Sequence, residues 1–397
     1  MSKRAASSDE TSGTKRIRPF AASLQRLHPS SPALWDYTAE LKYKNQALLE
    51  YSQEQRWPAA PLPIIASPRP RHYRTLSKRQ LAHDRKRLSW YRHSGDADID
   101  TILEADGHDA IYQYVLSILQ RPPYADLANH LHFLIVRGSY TAFTVILNVD
   151  QLDAVVVRKC KQLSDHLRQA SLAVQAVFVF YDPTRSPYYL ESQRPPVAVT
   201  FKKLFGPSRL SLQIQGRTLF YEPTAFSQIN ESILCEFIQT AQRLLRPQAD
   251  QHLIDLYCGY GLFSHLLADR YAEVWGYDVN ATAIRSAAAN RSERSTTPTH
   301  FRASSINERF VRYGMPKTGN RPEAIILDPP FQGTEAGVIE ALVERAPQKV
   351  LHIFCNIDRV RPETGQWARH GYHVQAIQPL DMFPGTANVE IMVLLEP

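Results

Sequence analysis

The chain has 397 residues, enough for two packed domains and a tail, and its 46 Lys and Arg against 39 Asp and Glu give a net charge of +7, which favours an anionic partner, nucleic acid first. No apolar run approaches the length of a membrane span and the basic N-terminus has no apolar signal core, so a soluble, cytoplasmic protein with no membrane partner is expected. Cys160, Cys235, Cys258 and Cys355 lie far apart without the spacing of metal ligands, so neither zinc nor an iron–sulfur cluster is expected.

Residues 1–32 are rich in Ser, Ala, Lys and Arg and read as a disordered basic tail. A helix is expected from Trp35 to Ser52, with Tyr37, Leu41, Leu48 and Tyr51 at helical spacing, stopped by the proline-rich stretch from Trp57 to Pro63. Arg69, Arg71, Arg74, Lys78, Arg79, Arg85, Lys86, Arg87 and Arg92 then crowd together, interleaved with His72, Tyr73, Trp90 and Tyr91. Cations contact phosphates while rings and guanidinium planes stack on unpaired bases, so this mixture suits structured RNA; the bland alternative is a solvated basic face. From it we take Arg69, Arg71, Tyr73, Arg74, Lys78 and Arg79 as candidate RNA contacts.

Strands are expected at Leu131–Val136 and Ala142–Leu147, a helix from Leu152 to Ala173 and a strand from Val174 to Tyr181, a small α/β layer. Arg194-Pro-Pro196 and the segment to Gly216 read as the connection, placing an RNA-binding domain at 33–216 and a second domain at 217–397. Beyond a helix from Phe226 to Leu245, strands and helices alternate: Leu253–Leu256, Val274–Asp278, Thr282–Arg291 (helix), His300–Ser304, Ala324–Leu327, Thr334–Arg345 (helix) and Val350–Phe354. Tyr372–Pro379 and Glu390–Leu395 are expected to close the sheet as an antiparallel pair.

The centre of this pattern is Asp255-Leu-Tyr-Cys-Gly-Tyr-Gly261, a buried strand ending in an acid and running into two glycines. Gly259 and Gly261 let backbone approach a ligand closely. A nicotinamide fingerprint would need a third glycine where Phe263 or Ser264 stands, so dinucleotide binding is disfavoured. A second strand ending in Asp278 could offer a carboxylate to ribose hydroxyls. An acid, Gly-x-Gly and an acidic second strand resemble the S-adenosylmethionine loop of class I methyltransferases. Three further sites follow in order: Asp328-Pro-Pro330, Cys355-Asn356, and Phe383-Pro-Gly-Thr-Ala-Asn-Val-Glu390.

With these the chain resembles the RNA uracil-5-methyltransferases, most closely the tRNA (uracil-5-)-methyltransferase branch. Ser67-Pro68 with His72-Tyr73-Arg74, and the helix around Tyr37 to Leu49, resemble the family's RNA-binding domain. The resemblance implies an α/β fold, a class I (Rossmann-like) methyltransferase domain preceded by a smaller α/β RNA-binding domain. It implies an enzyme that uses S-adenosyl-L-methionine to methylate uridine C5 in RNA, tRNA preferred; a monomer is expected, though not from the resemblance. Gln228, at the family's Phe-x-Gln position, would bind the cofactor with Tyr257, Gly259, Gly261, Asp278 and Asp328, while Cys355 matches the nucleophile and Glu390 the base. Uracil C5 is a weak carbon nucleophile, so a thiolate must first add to C6, and a base must later remove the C5 proton.

Four positions depart from the family's pattern: Phe331 follows Asp-Pro-Pro where an arginine is usual, Phe354 and Ile357 replace the serine and proline of Ser-Cys-Asn-Pro, and Leu262 replaces a polar residue. Asp-Pro-Pro-Phe331 also resembles the motif of methyltransferases acting on exocyclic amines, which makes that activity an alternative. An RNA-binding protein of the same fold whose chemistry has decayed is the other. Without its motif, Cys355 would read as an inert buried thiol.

Overall fold

Continuous apolar runs bounded by loops suit strands covered on both faces, and they form the centre of a parallel sheet. The structure, a computed structural model, describes residues 19–27, 31–84, 87–91, 97–186, 200–291, 296–317, 319 and 321–397. The chain begins with α1 (Pro19–Leu27) and α2 (Tyr37–Glu54), then builds β1 (Leu76–Asp84), β2 (Arg87–Tyr91), α3 (Ala97–Leu103), α4 (His108–Leu119) and α5 (Ala125–His130). It continues through β3 (Leu131–Gly138), β4 (Phe143–Val149), α6 (Ala154–Gln169), β5 (Val174–Tyr181) and β6 (Thr200–Phe205). These strands form a six-stranded sheet in the order β2-β1-β3-β4-β5-β6, antiparallel except where β4 meets β5.

A hairpin of β7 (Leu210–Ile214) and β8 (Arg217–Tyr221) and the helix α7 (Leu234–Leu245) lead into the second sheet. There β9 (His252–Leu256), α8 (Leu262–Leu267), β10 (Glu273–Asp278), α9 (Ala281–Ala289), β11 (Thr299–Ala303) and α10 (Glu308–Tyr313) alternate. They are followed by β12 (Glu323–Leu327), α11 (Val338–Val343), β13 (Lys349–Phe354), α12 (Val360–Arg369), β14 (His373–Leu380) and β15 (Glu390–Glu396). The seven strands lie in the order β11-β10-β9-β12-β13-β15-β14, parallel except for β15, which runs antiparallel to both neighbours. This is the expected Rossmann-like sheet with its antiparallel closing pair. No helix among the described residues is long and apolar enough to cross a membrane.

Three expectations need correction. Residues 19–27 are helical and not a disordered tail: Phe20 and Leu24, four residues apart on one face of α1, are buried against α2, with the Phe20 ring edge-on to Tyr51 at 6.0 Å. Residues 1–18 and 28–30 of that tail lie outside the described residues. The helix α2 packs with the C-terminal sheet and not with the β1–β6 sheet, since Ala47, Leu48 and Tyr51 share one core with Ile254, Leu256 and Phe354. Gly216 sits at the turn of the β7–β8 hairpin, whose Leu212, Leu219 and Tyr221 pack with Leu253 and Val274, so no boundary between the layers falls there. The connecting Arg194-Pro-Pro196 lies outside the described residues.

Two helices start later than expected. Residues 226–230 form an extended segment ahead of α7, because Asn230 bridges to Arg74 and Thr75 N donates to Ile229 O at 2.9 Å. α11 starts at Val338 because Gly333 and Gly337 both hold positive φ, 85° and 82°.

Candidate active site

The chain leaves β9 for β10 on one side and later places β12 on the other, so the C-terminal ends of β9 and β12 flank the point where strand order reverses. Open α/β sheets bind ligands in that crevice. Here Tyr257, Gly259 and Gly261 all have positive φ (64°, 56° and 85°). A side chain at Gly261 would place its Cβ 2.8 Å from the His265 ring, while nothing lies within 4 Å of the Cβ position at Gly259, leaving open space beside the backbone. The loop is fixed from both sides. Asp255 Oδ2 accepts hydrogen bonds from Ser264 N (3.0 Å) and Oγ (2.6 Å), and Asp278 Oδ2 accepts from Gly259 N (2.9 Å) while its Oδ1 accepts from Asn280 N (2.7 Å).

Asp328 stands at the end of β12 beside this loop, its N donating to Leu256 O at 3.3 Å. Burial pushes the Asp255 carboxyl up to about 7, and the charge of Asp278 adds to the effect. Burial, then the charges of Asp255 and Asp278, raises Asp328 too, so a negative charge at Asp328 is disfavoured in this crevice. A cation beside Asp328 would favour its ionised form. A glycine cradle and a ribose-height carboxylate beside an acidic crevice fit S-adenosylmethionine, whose sulfur is cationic.

Cys355 and Glu390 come together through the closing strand. The register of β13 with β15 ends at Phe354 opposite Ile391, and Cys355 and Glu390 each stand one residue beyond that pair on the two adjacent strands. Glu390 is 2% exposed and Cys355 half-buried. Burial, then the charge of Asp328, raises the Glu390 carboxyl well above the usual range, which makes it the stronger base. Asn356 Nδ2 donates to Phe331 O (3.1 Å), joining the cysteine loop to the Asp-Pro-Pro-Phe loop. Glu363 braces that second loop by accepting from Thr334 Oγ1 at 3.0 Å. Burial would raise its pKa, but hydrogen bonds from His352 and Thr334 carry it below the ordinary value. Phe20, Ala21, Cys355, Asn356 and Asn388 line a pocket of about 20 Å³, room for roughly one water.

The helix α2 clamps both loops of this corner. Tyr51 Oη donates to Asp358 at 2.5 Å, and Lys44 Nζ, with Glu40 beside it, holds Asp381 at the head of the loop 381–389. Sequence reasoning missed Glu40 and Lys44, whose i,i+4 spacing is that of an ordinary surface ion pair. It also missed Arg137, 1% exposed, which donates to Pro223 O, Ala225 O (3.1 Å) and Ser227 Oγ (2.8 Å) and so braces the loop carrying Gln228. A lone arginine closing the apolar run Leu131–Val136 was the available signal.

The candidate RNA contacts divide. Tyr73 is fully buried, and Arg79, 1% exposed, is spent on Glu104 and Asp109 with its guanidinium 3.9 Å from the Tyr112 ring centre, so neither side chain reaches a ligand. Arg71 is consumed by the carbonyls of Ala33, Pro32 and Trp35 and by Glu40. Half-buried Arg69 lies over Tyr140 (4.2 Å), Arg74 near Tyr73 and Lys78 over Phe133 (4.8 Å), each with part of its surface open. Arg85, Lys86 and Arg92 lie outside the described residues.

The family model described as tRNA (Uracil-5-)-methyltransferase matches residues 199–397, half of the chain. The chain belongs to that family. Among similar curated proteins, the 23S rRNA (uracil(1939)-C(5))-methyltransferase RlmD of Pseudomonas aeruginosa is 31% identical over 243 residues, 61% of this chain and 51% of that protein. An uncharacterised RNA methyltransferase of Thermosynechococcus vestitus is 32% identical over 173 residues, 43% of this chain and 37% of the relative. The chain thus spans about half, or less, of the length of these relatives. The crystal structure of the Pyrococcus abyssi tRNA (uracil-54, C5)-methyltransferase in complex with S-adenosyl-L-homocysteine shares the fold, with TM-score 0.64 at 18% identity over 91% of this chain and 84% of that one. Gln228, the glycine loop, Asp278, Asp328, Cys355 and Glu390 fall inside the family match, and the basic stretch falls outside it.

Proposed function

We propose that the protein transfers a methyl group from S-adenosyl-L-methionine to C5 of a uridine in RNA, tRNA preferred, through a covalent bond between Cys355 and C6. The observation that carries this reading is the meeting of Cys355 and Glu390 one residue beyond the Phe354–Ile391 pair. When bound, the cofactor supplies a methyl group on an electrophilic, cationic sulfur. Gln228, Tyr257, Gly259 and Gly261 would hold it, Asp278 would accept from its ribose hydroxyls, and Asp328 would face its charge. The Cys355 thiolate adds to C6 and makes C5 nucleophilic. After C5 is methylated, Glu390 takes the C5 proton, the C5–C6 double bond re-forms and the C6–S bond breaks to return the thiolate. A buried carboxyl of raised pKa suits that proton transfer.

The preference for tRNA draws on the family description and on a fold shared over most of its length with a tRNA-modifying enzyme, against an rRNA-modifying relative matched over about half. Of the candidate RNA contacts, Arg69, Arg74 and Lys78 have surface open and would meet phosphate. The proposed cofactor, nucleophile and base positions all lie on one chain, so the reaction as proposed needs no residue from a second copy, which is compatible with a monomer. Four free cysteines suit a reducing, cytoplasmic setting. The competing exocyclic-amine reading draws on Phe331, which is 39% exposed beside Asp328 and could stack on a base.

Mass spectrometry of the protein with S-adenosylmethionine and 5-fluorouridine transcripts tests the choice. Fluorine at C5 cannot leave as a proton, so an adduct at Cys355, absent in Cys355→Ala, is expected. Methyl transfer to ordinary RNA by Cys355→Ala would instead favour the amine reading, and neither adduct nor transfer would favour a decayed, RNA-binding protein.

A further inference from the structure

The loop 381–389 leaves β14, walls the Cys355 pocket with Ala387, Asn388 and Val389, and runs straight into Glu390. A buried ionic cluster on α2 holds its first half. Lys44, Glu40 and Asp381 are all fully buried; Lys44 Nζ lies 2.7 Å from Glu40, 2.8 Å from Asp381 and 3.3 Å from Phe383 O. Arg71 meets Glu40 at 2.9 Å and Tyr37 Oη donates to Asp381 at 3.1 Å, so two carboxylates face two cations. Glu40 then reaches the loop itself, its Oε1 accepting from Gly385 N at 2.6 Å. Gly385 has φ 73°, and a Cβ there would meet Leu103 at 2.6 Å. Only a glycine backbone fits this seat.

Beyond Gly385 the loop is held internally, Thr386 Oγ1 donating to Phe383 O (2.8 Å) and Asn388 N to Thr386 Oγ1 (3.1 Å). Where Gly385 sits therefore sets where the pocket wall and the entry to Glu390 sit. We infer that Glu40 is a positioning residue for proton abstraction: through Gly385 N it fixes the loop that delivers Glu390 to the target base. Fully buried charges are a costly way to hold a loop, and a defined geometry is what they can supply that an apolar contact cannot. The inference rests on the proposed roles of Cys355 and Glu390.

Glu40→Ala removes the acceptor while leaving Lys44 paired with Asp381. Glu40→Gln keeps an amide oxygen for Gly385 N while giving up the Arg71 contact, since its NH2 would face the guanidinium. Glu40→Asp keeps the charge but withdraws the reach, and serves if the alanine variant folds poorly. The full chain is incubated with S-adenosylmethionine and ordinary uridine transcripts, and both turnover and the fraction of protein covalently bound to RNA are measured. Glu40→Ala and Glu40→Asp are expected to lower kcat by about 10- to 100-fold with KM for RNA little changed, the misplacement penalty for a reacting group. Protein–RNA adduct should persist in both, because the thiolate adds but the C5 proton leaves slowly; Glu40→Gln should restore turnover and clear the adduct.

A loss of turnover without persistent adduct, or a glutamine variant as impaired as the alanine one, would overturn the inference. A wild-type protein that forms no adduct even with 5-fluorouridine RNA would remove the roles of Cys355 and Glu390 themselves, and this inference with them.

Discussion

Lys44→Met tests the ionic cluster as a structural element. Lys44 is fully buried between two buried carboxylates, and methionine fills much of the same volume without the charge. The two carboxylates are not left in equal states. Glu40 keeps Arg71 at 2.9 Å and Gly385 N at 2.6 Å, whereas Asp381 keeps a hydroxyl donor, Tyr37 at 3.1 Å, in place of its cation. Removing one partner of a buried pair costs about 3–5 kcal/mol, and most of it should fall on Asp381. Burial, partly offset by Lys44, already raises the Asp381 carboxyl, and loss of Lys44 raises it further.

A carboxyl with a raised folded pKa binds more protons folded than unfolded, so its penalty is absent below the unfolded value of about 3.9, grows by about 1.4 kcal/mol per pH unit between the unfolded and folded values, and levels off above the folded one. The variant should therefore be more destabilised at pH 8 than at pH 5. Lys44→Met with Asp381→Asn removes the stranded charge, lets Tyr37 still donate, and should recover to within about 1 kcal/mol of wild type. Urea unfolding of wild type, single and double variants at both pH values measures all three quantities. A single variant costing under about 1 kcal/mol, a double variant no better than the single, or a cost independent of pH would refute the assignment of the strain to Asp381.

The cover that α1 lays over Cys355 predicts thiol reactivity: Phe20→Asp should speed iodoacetamide labelling of Cys355 relative to exposed Cys235, while buried Cys160, its thiol pushed up to about 12, and buried Cys258 stay unlabelled. An unchanged Cys355 rate, or labelling of all four together, would contradict that cover. Burial, then the charge of Arg79, lowers His108 to about 3, so the unfolded chain binds its proton first and stability is lost as pH falls below about 6.5. Between pH 7 and pH 5 this removes about 2 kcal/mol. Asp255 shifts the opposite way, so the test is the difference in that pH dependence between wild type and His108→Gln, which should lack this component.

The second sheet was legible because its chemistry is local. β9 and β12 are buried at every position, with Leu253-Ile254 running into Asp255 and Ala324–Leu327 running into Asp328 just past the strand, and a parallel strand buried on both faces looks that way. The order of the glycine loop, Cys355 and Glu390 told which family pattern to expect, but their meeting depends on β15 inserting between β13 and β14, a pairing no local signal specifies. Two apolar residues in α1 vanish within a polar tail when composition is averaged, although Phe20 and Leu24 have the spacing of one helical face. The helix α2 was visible as a helix and misjudged as to partner. Its buried face carries Glu40, Lys44 and Ser52, residue types that ordinarily mark a solvent face.

The basic stretch shows why counting cations misleads. A guanidinium presents a fixed fork of donors, so an arginine among carbonyls and carboxylates satisfies internal backbone as readily as phosphate. Arg71 stitches the segment before α2 to Glu40, and Arg79 closes on Glu104 and Asp109. Compensated in this way, these two add little to the field an approaching polyanion meets. Arg74 and Thr75 of the same stretch pair with Asn230 and Ile229 next to Gln228, so a stretch that looked like an RNA surface also joins the N-terminal sheet to the segment carrying Gln228. Candidate RNA contacts and architectural cations are thus interleaved within residues 69–79: Arg69, Arg74 and Lys78 keep surface open, while Arg71 and Arg79 are taken up internally. RNA bound there would press on the same segment that carries Gln228.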